Sequence, residues 1–165
     1  VGLRLARLLA RRGAKLLVAD IDPRKREAAD SLGARWIKPE KAMLAAVDVL
    51  APCALGAVLD HESVPALQAP VVAGAANNQL ADESVADLLA RSGVLWAPDF
   101  VANAGGIINI SVELEPGGYD ARLARERVRG VGDTLRSIYD VAAGGMTPLA
   151  AAMELARTNL SDSRA

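Results

Sequence analysis

The segment GLRLARLLARRGAKLLVAD, residues 2–20, is where the reading of the fold begins. Its first half places Leu5, Leu8 and Leu9 on one helical face, with Arg4, Arg7, Arg11 and Arg12 mostly elsewhere. That is the pattern of an amphipathic helix with a solvated basic side. Gly13 stands where a helix is expected to end on a left-handed residue. Residues 15–20 then read as a short strand, apolar on both faces as strands of a parallel sheet are, and closing on the carboxylate of Asp20.

Working outward, the same alternation repeats. PRKREAADSLG reads as a helix with Pro23 at its start and Gly33 past its end. DVLAPCALG and APVVAGAANN read as short apolar strands, each running into a turn, and DESVADLLARSG as a capped helix. GVLWAPDFVANAGGIINI gives a fourth strand and a loop, then a glycine-rich helix start at residues 104–106. From Gly118 onward the spacing is helical, with Thr147 as N-cap and Pro148 at the first position of the last helix. The tail SDSRA is expected to fray. Strand and helix alternating over short linkers is the pattern of βαβ units. The expected fold is α/β, a doubly wound parallel sheet of Rossmann-like type lacking its first strand, with C-terminal helices, in one domain over residues 1–160. Because the chain opens on Val1, inside a helical pattern, it is read as cut at its N-terminus.

Composition narrows the function. Of 165 residues 52% are hydrophobic but only 3% aromatic, so the core is built from aliphatic side chains, as suits a sheet between close-packed helices. The net charge of −1 and the scarcity of aromatic rings argue against a nucleic-acid partner. No apolar run approaches the roughly 20 residues that cross a bilayer. One cysteine, Cys53, rules out an internal disulfide and makes a cytoplasmic setting the default. The single His61 argues against a histidine-built metal site or a Ser-His-Asp triad.

A dinucleotide fingerprint runs strand, G-x-G-x-x-G, helix, with an acid about 20 positions on that binds the adenosine ribose. Gly2 opens a helix and Asp20 ends the next strand 18 residues later, which is half of that pattern. A strand-terminal Asp is also a common helix cap. If Asp20 faces the ribose, its carboxylate repels a 2′-phosphate and favours NAD over NADP, although Arg24 and Lys25 lie beside it.

AGAANNQL, residues 73–80, places Asn77 and Asn78 just past a strand. By itself the stretch favours a turn, since Asn tolerates left-handed backbone; the carboxyl end of a strand is also where α/β sheets bind ligands. The order and spacing of APCALGAVLD, VVAGAANNQLAD and WAPDFVANAGGIINI decide between them. With the fingerprint-like start, they closely resemble the NAD-binding domain of leucine, valine and phenylalanine dehydrogenases within the glutamate dehydrogenase superfamily. The resemblance covers nearly the whole chain, most tightly residues 1–110.

It implies NAD-dependent oxidative deamination of an apolar L-amino acid to its 2-oxo acid and ammonia, in a two-domain enzyme that is a homo-oligomer when complete. By the same resemblance, Gly2 matches the last fingerprint glycine, and Asp20 with Ile21 the ribose-binding strand end. Cys53 and Ala54 match the turn beside the adenosine ribose. Ala75, Ala76 and Asn77 match the loop under the nicotinamide ribose, Asn77 also reaching the substrate, and Asn78 secures the turn. Asn103 matches a residue near the nicotinamide carboxamide, and Ile107 and Ile110 the wall around the substrate side chain. The family's catalytic lysines and aspartate belong to its other domain, so no catalytic residue is assigned and the chain alone is expected to be inactive. Branched residues at 107 and 110 favour leucine, valine or isoleucine as substrate. The rival readings are a phenylalanine or glutamate dehydrogenase, and a stand-alone nucleotide-sensing module.

Overall fold

The computed structural model describes residues 1–162. Helix α1 (Gly2–Ala10) leads into strand β1 (Leu17–Val18). A 3-10 turn (Pro23–Lys25) and helix α2 (Arg26–Asp30) lead to strand β2 (Arg35–Trp36). Strands β3 (Val49–Leu50) and β4 (Val71–Val72) follow, then helix α3 (Ser84–Arg91) and strand β5 (Leu95–Trp96). Four helices finish the chain: α4 (Asp99–Ala102), α5 (Gly105–Glu113), α6 (Ala121–Ala142) and α7 (Pro148–Asp162).

All pairing between these strands is parallel. β1 pairs with β2, Leu17 opposite Arg35. β4 lies between β3 and β5, with Val72 opposite Leu50 on one side and Trp96 on the other. The strands thus form two sheets, one of β1 and β2 and one of β3, β4 and β5. A doubly wound sheet of order 3-2-1-4-5-6 carries its first strand between two such halves.

The strands are shorter than their apolar runs, two residues against the six expected over 15–20. β2 was not expected at all. Its residues are Arg35, exposed, and Trp36, half-buried, followed after Ile37 by Lys38 and Pro39, so no apolar run announces it. The segment after β5, read as a loop, contains the single turn of α4, too short to show a helical period. The four arginines, Arg4 and Arg7 in α1 and Arg11 and Arg12 just after it, are exposed as expected, but no residue of α1 is buried and Leu8 is 49% exposed, so the leucine face covers the fold only through half-buried Leu5 and Leu9. Gly13 and Gly33 end α1 and α2 with φ of +82° and +69°, the conformation for which glycine was expected there. α7 runs through Ser161, whose hydroxyl donates to the Arg157 carbonyl at 2.7 Å. The expected fraying therefore does not begin at 161, and residues 163–165 lie outside those described.

The main core packs the sheet on α3: Leu59, Val64, Val72, Val85, Leu89, Val94 and Trp96 form one buried cluster. A second joins α6 and α7 through Ile138, Ala151 and Ala152, with Val101 of α4 against it. The α4–α6 contact ties the segment following β5 to the C-terminal helices.

Asp120 caps α6, its carboxylate accepting the N–H groups of Arg122 (2.7 Å) and Leu123 (3.3 Å). These donors, that of Arg122 first, hold its carboxyl below the ordinary value of 3.8. A depressed folded pKa contributes stability above the unfolded pKa that is lost as pH falls through the folded one. The stability gap between the wild type and Asp120→Ala should therefore narrow as pH falls below about 4. Urea unfolding at several pH values measures it; a gap independent of pH would show that the ionised cap contributes nothing.

Candidate functional site

Three loops leave the carboxyl ends of β3, β4 and β5 and are bound to one another. After β3, Pro52 supports the loop after β4: the Ala76 N–H donates to the Pro52 carbonyl at 2.9 Å. Gly74 is buried where this contact is closest. A Cβ on it would lie 2.1 Å from the Pro52 carbonyl oxygen. Further on, the Ala57 and Leu59 N–H groups donate to the carbonyls of Asn78 (2.6 Å) and Gln79 (3.0 Å). A Cβ on Gly56 would meet the carbonyl oxygens of Asn77 and Asn78, each at 2.7 Å.

The loop after β4 projects the two adjacent asparagines, both exposed. Asn78 has φ +50°, the left-handed backbone of a turn residue. Asn77 Oδ1 accepts a hydrogen bond from Asn103 Nδ2 at 2.7 Å, and the same Nδ2 lies 3.4 Å from the Ala76 carbonyl. Two residues 26 positions apart, each singled out from sequence, thus meet directly. Their pairing uses one oxygen and one amide nitrogen. Asn77 Nδ2 and Asn103 Oδ1 have no hydrogen-bond partner among the described residues, leaving a donor and an acceptor side by side. Ala76 is buried and serves through its carbonyl, while Ala75 is half-buried.

Beneath the asparagines lies a polar group that sequence reasoning missed. Gln79 is fully buried, and its Nε2 donates to the carbonyls of both Gly74 and Ala76 at 3.0 Å. Its Oε1 accepts from Trp96 Nε1 at 3.2 Å, and its backbone N–H donates to Asp99 Oδ2 at 2.7 Å. Asp99 Oδ1 accepts the Phe100 N–H at 2.8 Å. The one available signal is Asp99, set among apolar neighbours where a polar side chain persists only if paired; Gln79, next to two asparagines, carries none.

Just past β1, Asp20 Oδ1 accepts the Asp22 N–H at 2.9 Å and Oδ2 holds Lys25 Nζ at 3.0 Å. These contacts, the backbone one first, lower its carboxyl pKa, so it stays ionised from neutral pH to below 3.8. Asp20 is not the helix cap. Asp22 is, accepting the Arg24 N–H at 3.0 Å while pairing with the Arg24 guanidinium. Both cations beside Asp20 are thus held by carboxylates of their own loop. Ile21 is 85% exposed.

Gly2 sits against the loop after β3, a Cβ on it falling 3.2 Å from Cys53 Cβ, so α1 packs closely there. Cys53 is half-buried and Ala54 exposed. Ile107 and Ile110 share the outer side of α5 at 71% and 59% exposure, and so do not pack beneath their helix. The opposite side faces a groove of about 410 Å³ lined by Phe100, Val101, Ala104, Ile108, Val131 and Thr134, among others.

His61 does meet a serine and an acid. Its Nε2 lies 3.0 Å from Ser84 Oγ and 3.6 Å from Asp82 Oδ2. Both face the same ring nitrogen, whereas a triad needs the acid on the other one. Asp82 accepts the Ser84 N–H at 2.9 Å, so the group caps α3. Among the described residues no three His, Cys, Asp or Glu side chains gather as metal ligands, and no helix is long and apolar enough to cross a membrane.

Parallel strands with loops massed at their carboxyl ends define a doubly wound α/β domain whose candidate site lies at those ends. The model of the Glutamate/Leucine/Phenylalanine/Valine dehydrogenase family matches residues 2–143, and the chain belongs to that family. It is 43% identical over 167 residues to an L-tryptophan dehydrogenase of Nostoc punctiforme, covering 99% of this chain and 47% of that protein. It is 39% identical over 143 residues to a leucine dehydrogenase of Thermoactinomyces intermedius, covering 86% of this chain and 38% of that protein. The chain thus spans less than half the length of each relative. A crystal structure of L-tryptophan dehydrogenase from Nostoc punctiforme superposes with a TM-score of 0.94 at 40% identity, over 98% of this chain and 49% of that one.

Proposed function

We propose that this chain is the NAD-holding part of an L-amino-acid dehydrogenase, which oxidatively deaminates an apolar, branched-chain L-amino acid to its 2-oxo acid and ammonia. The observation that carries this reading is the Asn77–Asn103 pair at the carboxyl ends of adjacent parallel strands, in a chain of this family. The residues present suit a dinucleotide: a carboxylate just past β1 whose pKa is held below its ordinary value, small residues through the β4 loop, and neutral amides beyond β4 and β5.

In this reading the Asp20 carboxylate accepts the adenosine ribose hydroxyls. Cys53 and Ala54 flank that ribose, and Gly2 lets α1 approach it. Ala75 and Ala76 line the nicotinamide ribose side. Asn77 and Asn103 present their remaining donor and acceptor to the carboxamide and the substrate, orienting both without adding charge. When bound, NAD supplies the hydride acceptor. Proton transfer from the substrate belongs to residues outside this chain, which by itself is expected to be inactive; the complete protein acts as an assembly of several copies.

The test is NADH formation by the complete protein that contains this chain, followed across a panel of L-amino acids. Turnover of valine, leucine or isoleucine well above phenylalanine, tryptophan and glutamate is expected. A second reading, an aromatic substrate, is favoured by the relatives named as L-tryptophan dehydrogenases, and the same panel decides between the two. Ile107 and Ile110, as walls of the side-chain pocket, set the difference. Ile107→Ala should raise activity on phenylalanine relative to valine about tenfold, the lower range for a change of pocket size. An unmoved ratio would remove Ile107 from the pocket.

A further inference from the structure

Asn77 has no rigid element of its own. It stands on an exposed loop, beside a left-handed residue, beyond a strand of only two residues. What fixes it is underneath. Gln79 closes the loop on itself by donating to the Gly74 and Ala76 carbonyls, spanning the turn from within. Its oxygen is held by the Trp96 indole N–H, from β5. Its backbone N–H is held by Asp99, the first residue of α4. That helix is followed directly by Asn103, whose N–H donates to the Asp99 carbonyl at 2.8 Å and whose side chain grips Asn77. A closed circuit therefore runs from Asn77 through the loop to Gln79, across to Asp99, along α4 to Asn103, and back to Asn77.

Burial makes the lower half of this circuit rigid. Gln79 is fully buried and Asp99 is 8% exposed. A buried amide and carboxylate with their hydrogen bonds made are costly to displace, because each would be left unpaired out of reach of water. The upper half is more open, Asn77 exposed and Asn103 half-buried, and there a lone side-chain contact is more weakly held.

We infer that Gln79 and Asp99 are positioning residues: they set the height and angle at which Asn77 and Asn103 meet a ligand, without touching it themselves. The inference rests on Asn77 being a ligand contact as proposed above. Asp99→Asn keeps the size of the side chain and an oxygen for the Phe100 N–H but turns an amide nitrogen toward the Gln79 N–H. Gln79→Glu keeps the acceptor for Trp96 and loses both donors to the loop carbonyls.

The test is a double-mutant cycle in the complete NAD-dependent protein, with Asp99→Asn and Asn77→Ala, read in kcat and KM well below the melting temperature. Asp99→Asn should lower kcat about tenfold or more, as small misplacements of a ligand-orienting group do. In the Asn77→Ala background it should lower kcat by less than about twofold, because the residue it positions is gone. The same loss in both backgrounds, or no loss in either, overturns the inference, since a residue that only stabilises the fold acts independently of Asn77. Hydrogen exchange by mass spectrometry, with no cofactor added, is the second readout. Peptides covering residues 74–80 should exchange faster in Asp99→Asn while those of α7 do not change. If Asn77→Ala itself leaves kcat and KM unaltered, the ligand role given to Asn77 falls, and the exchange readout alone judges whether Asp99 holds the loop; unaltered exchange there overturns it. Should Asp99→Asn fail to fold, Gln79→Glu carries the same cycle with the same outcomes.

Discussion

Gly74→Ala is expected to destabilise the protein by about 3 kcal/mol or more, at the upper end of what overpacking does. The added Cβ would lie 2.1 Å from the Pro52 carbonyl oxygen, 2.5 Å from its nitrogen and 2.7 Å from its Cδ. None of these is the tip of a flexible side chain. They are main chain and a proline ring, and relief requires parting the loops after β3 and β4. That separation would break the Ala76 N–H to Pro52 carbonyl bond and strip the Gln79 amide of its Gly74 acceptor. Gly132 is the matching control, an exposed position inside α6 with nothing within 4 Å of a built Cβ. There alanine should stabilise by up to about 1 kcal/mol, since glycine is the poorer helix former. Thermal and urea unfolding of the two variants should move in opposite directions. An unchanged midpoint for Gly74→Ala would mean that the two loops are not in contact.

Asp20→Ala should weaken NAD binding about ten- to a hundredfold, the scale of losing hydrogen bonds to a charged group. NADP should lose far less. Two features of the loop sharpen the contrast. The carboxylate is ionised at every pH where the protein would be assayed, its pKa lowered by the Asp22 N–H and by Lys25. Lys25, held at 3.0 Å, is released when Asp20 is removed and becomes available to a 2′-phosphate. Binding constants for both cofactors, in the complete protein, measure the effect. Equal loss for the two would reduce Asp20 to a residue that folds its own loop, since the cap of the following turn is Asp22.

Much of this architecture was legible from local chemistry. Gly13 and Gly33 end helices because few other residues adopt a left-handed backbone without penalty, and Thr147 caps α7 because its hydroxyl can reach the Ala150 N–H. The alternation of apolar strands and amphipathic helices implied a parallel sheet, and a parallel sheet places its loops at one edge. Asn77 and Asn103 were legible as candidate site residues only through the family resemblance of the segments around them.

What only the tertiary structure decided involves partners distant along the chain. β2 exists because Leu16 and Val18 offer carbonyls to Arg35 and Ile37, a ladder that does not depend on an apolar run in its own sequence. Gln79 and Asp99, 20 residues apart, each look like loop residues until folding buries them together. The closeness of Gly74 to Pro52 and of Gly56 to Asn77 is likewise invisible locally, because neither glycine has a positive φ. Sequence periodicity reports which face of an element is apolar. It carries no record of which polar groups will be left facing one another once those faces are buried, and that residue of pairing is what shapes the site.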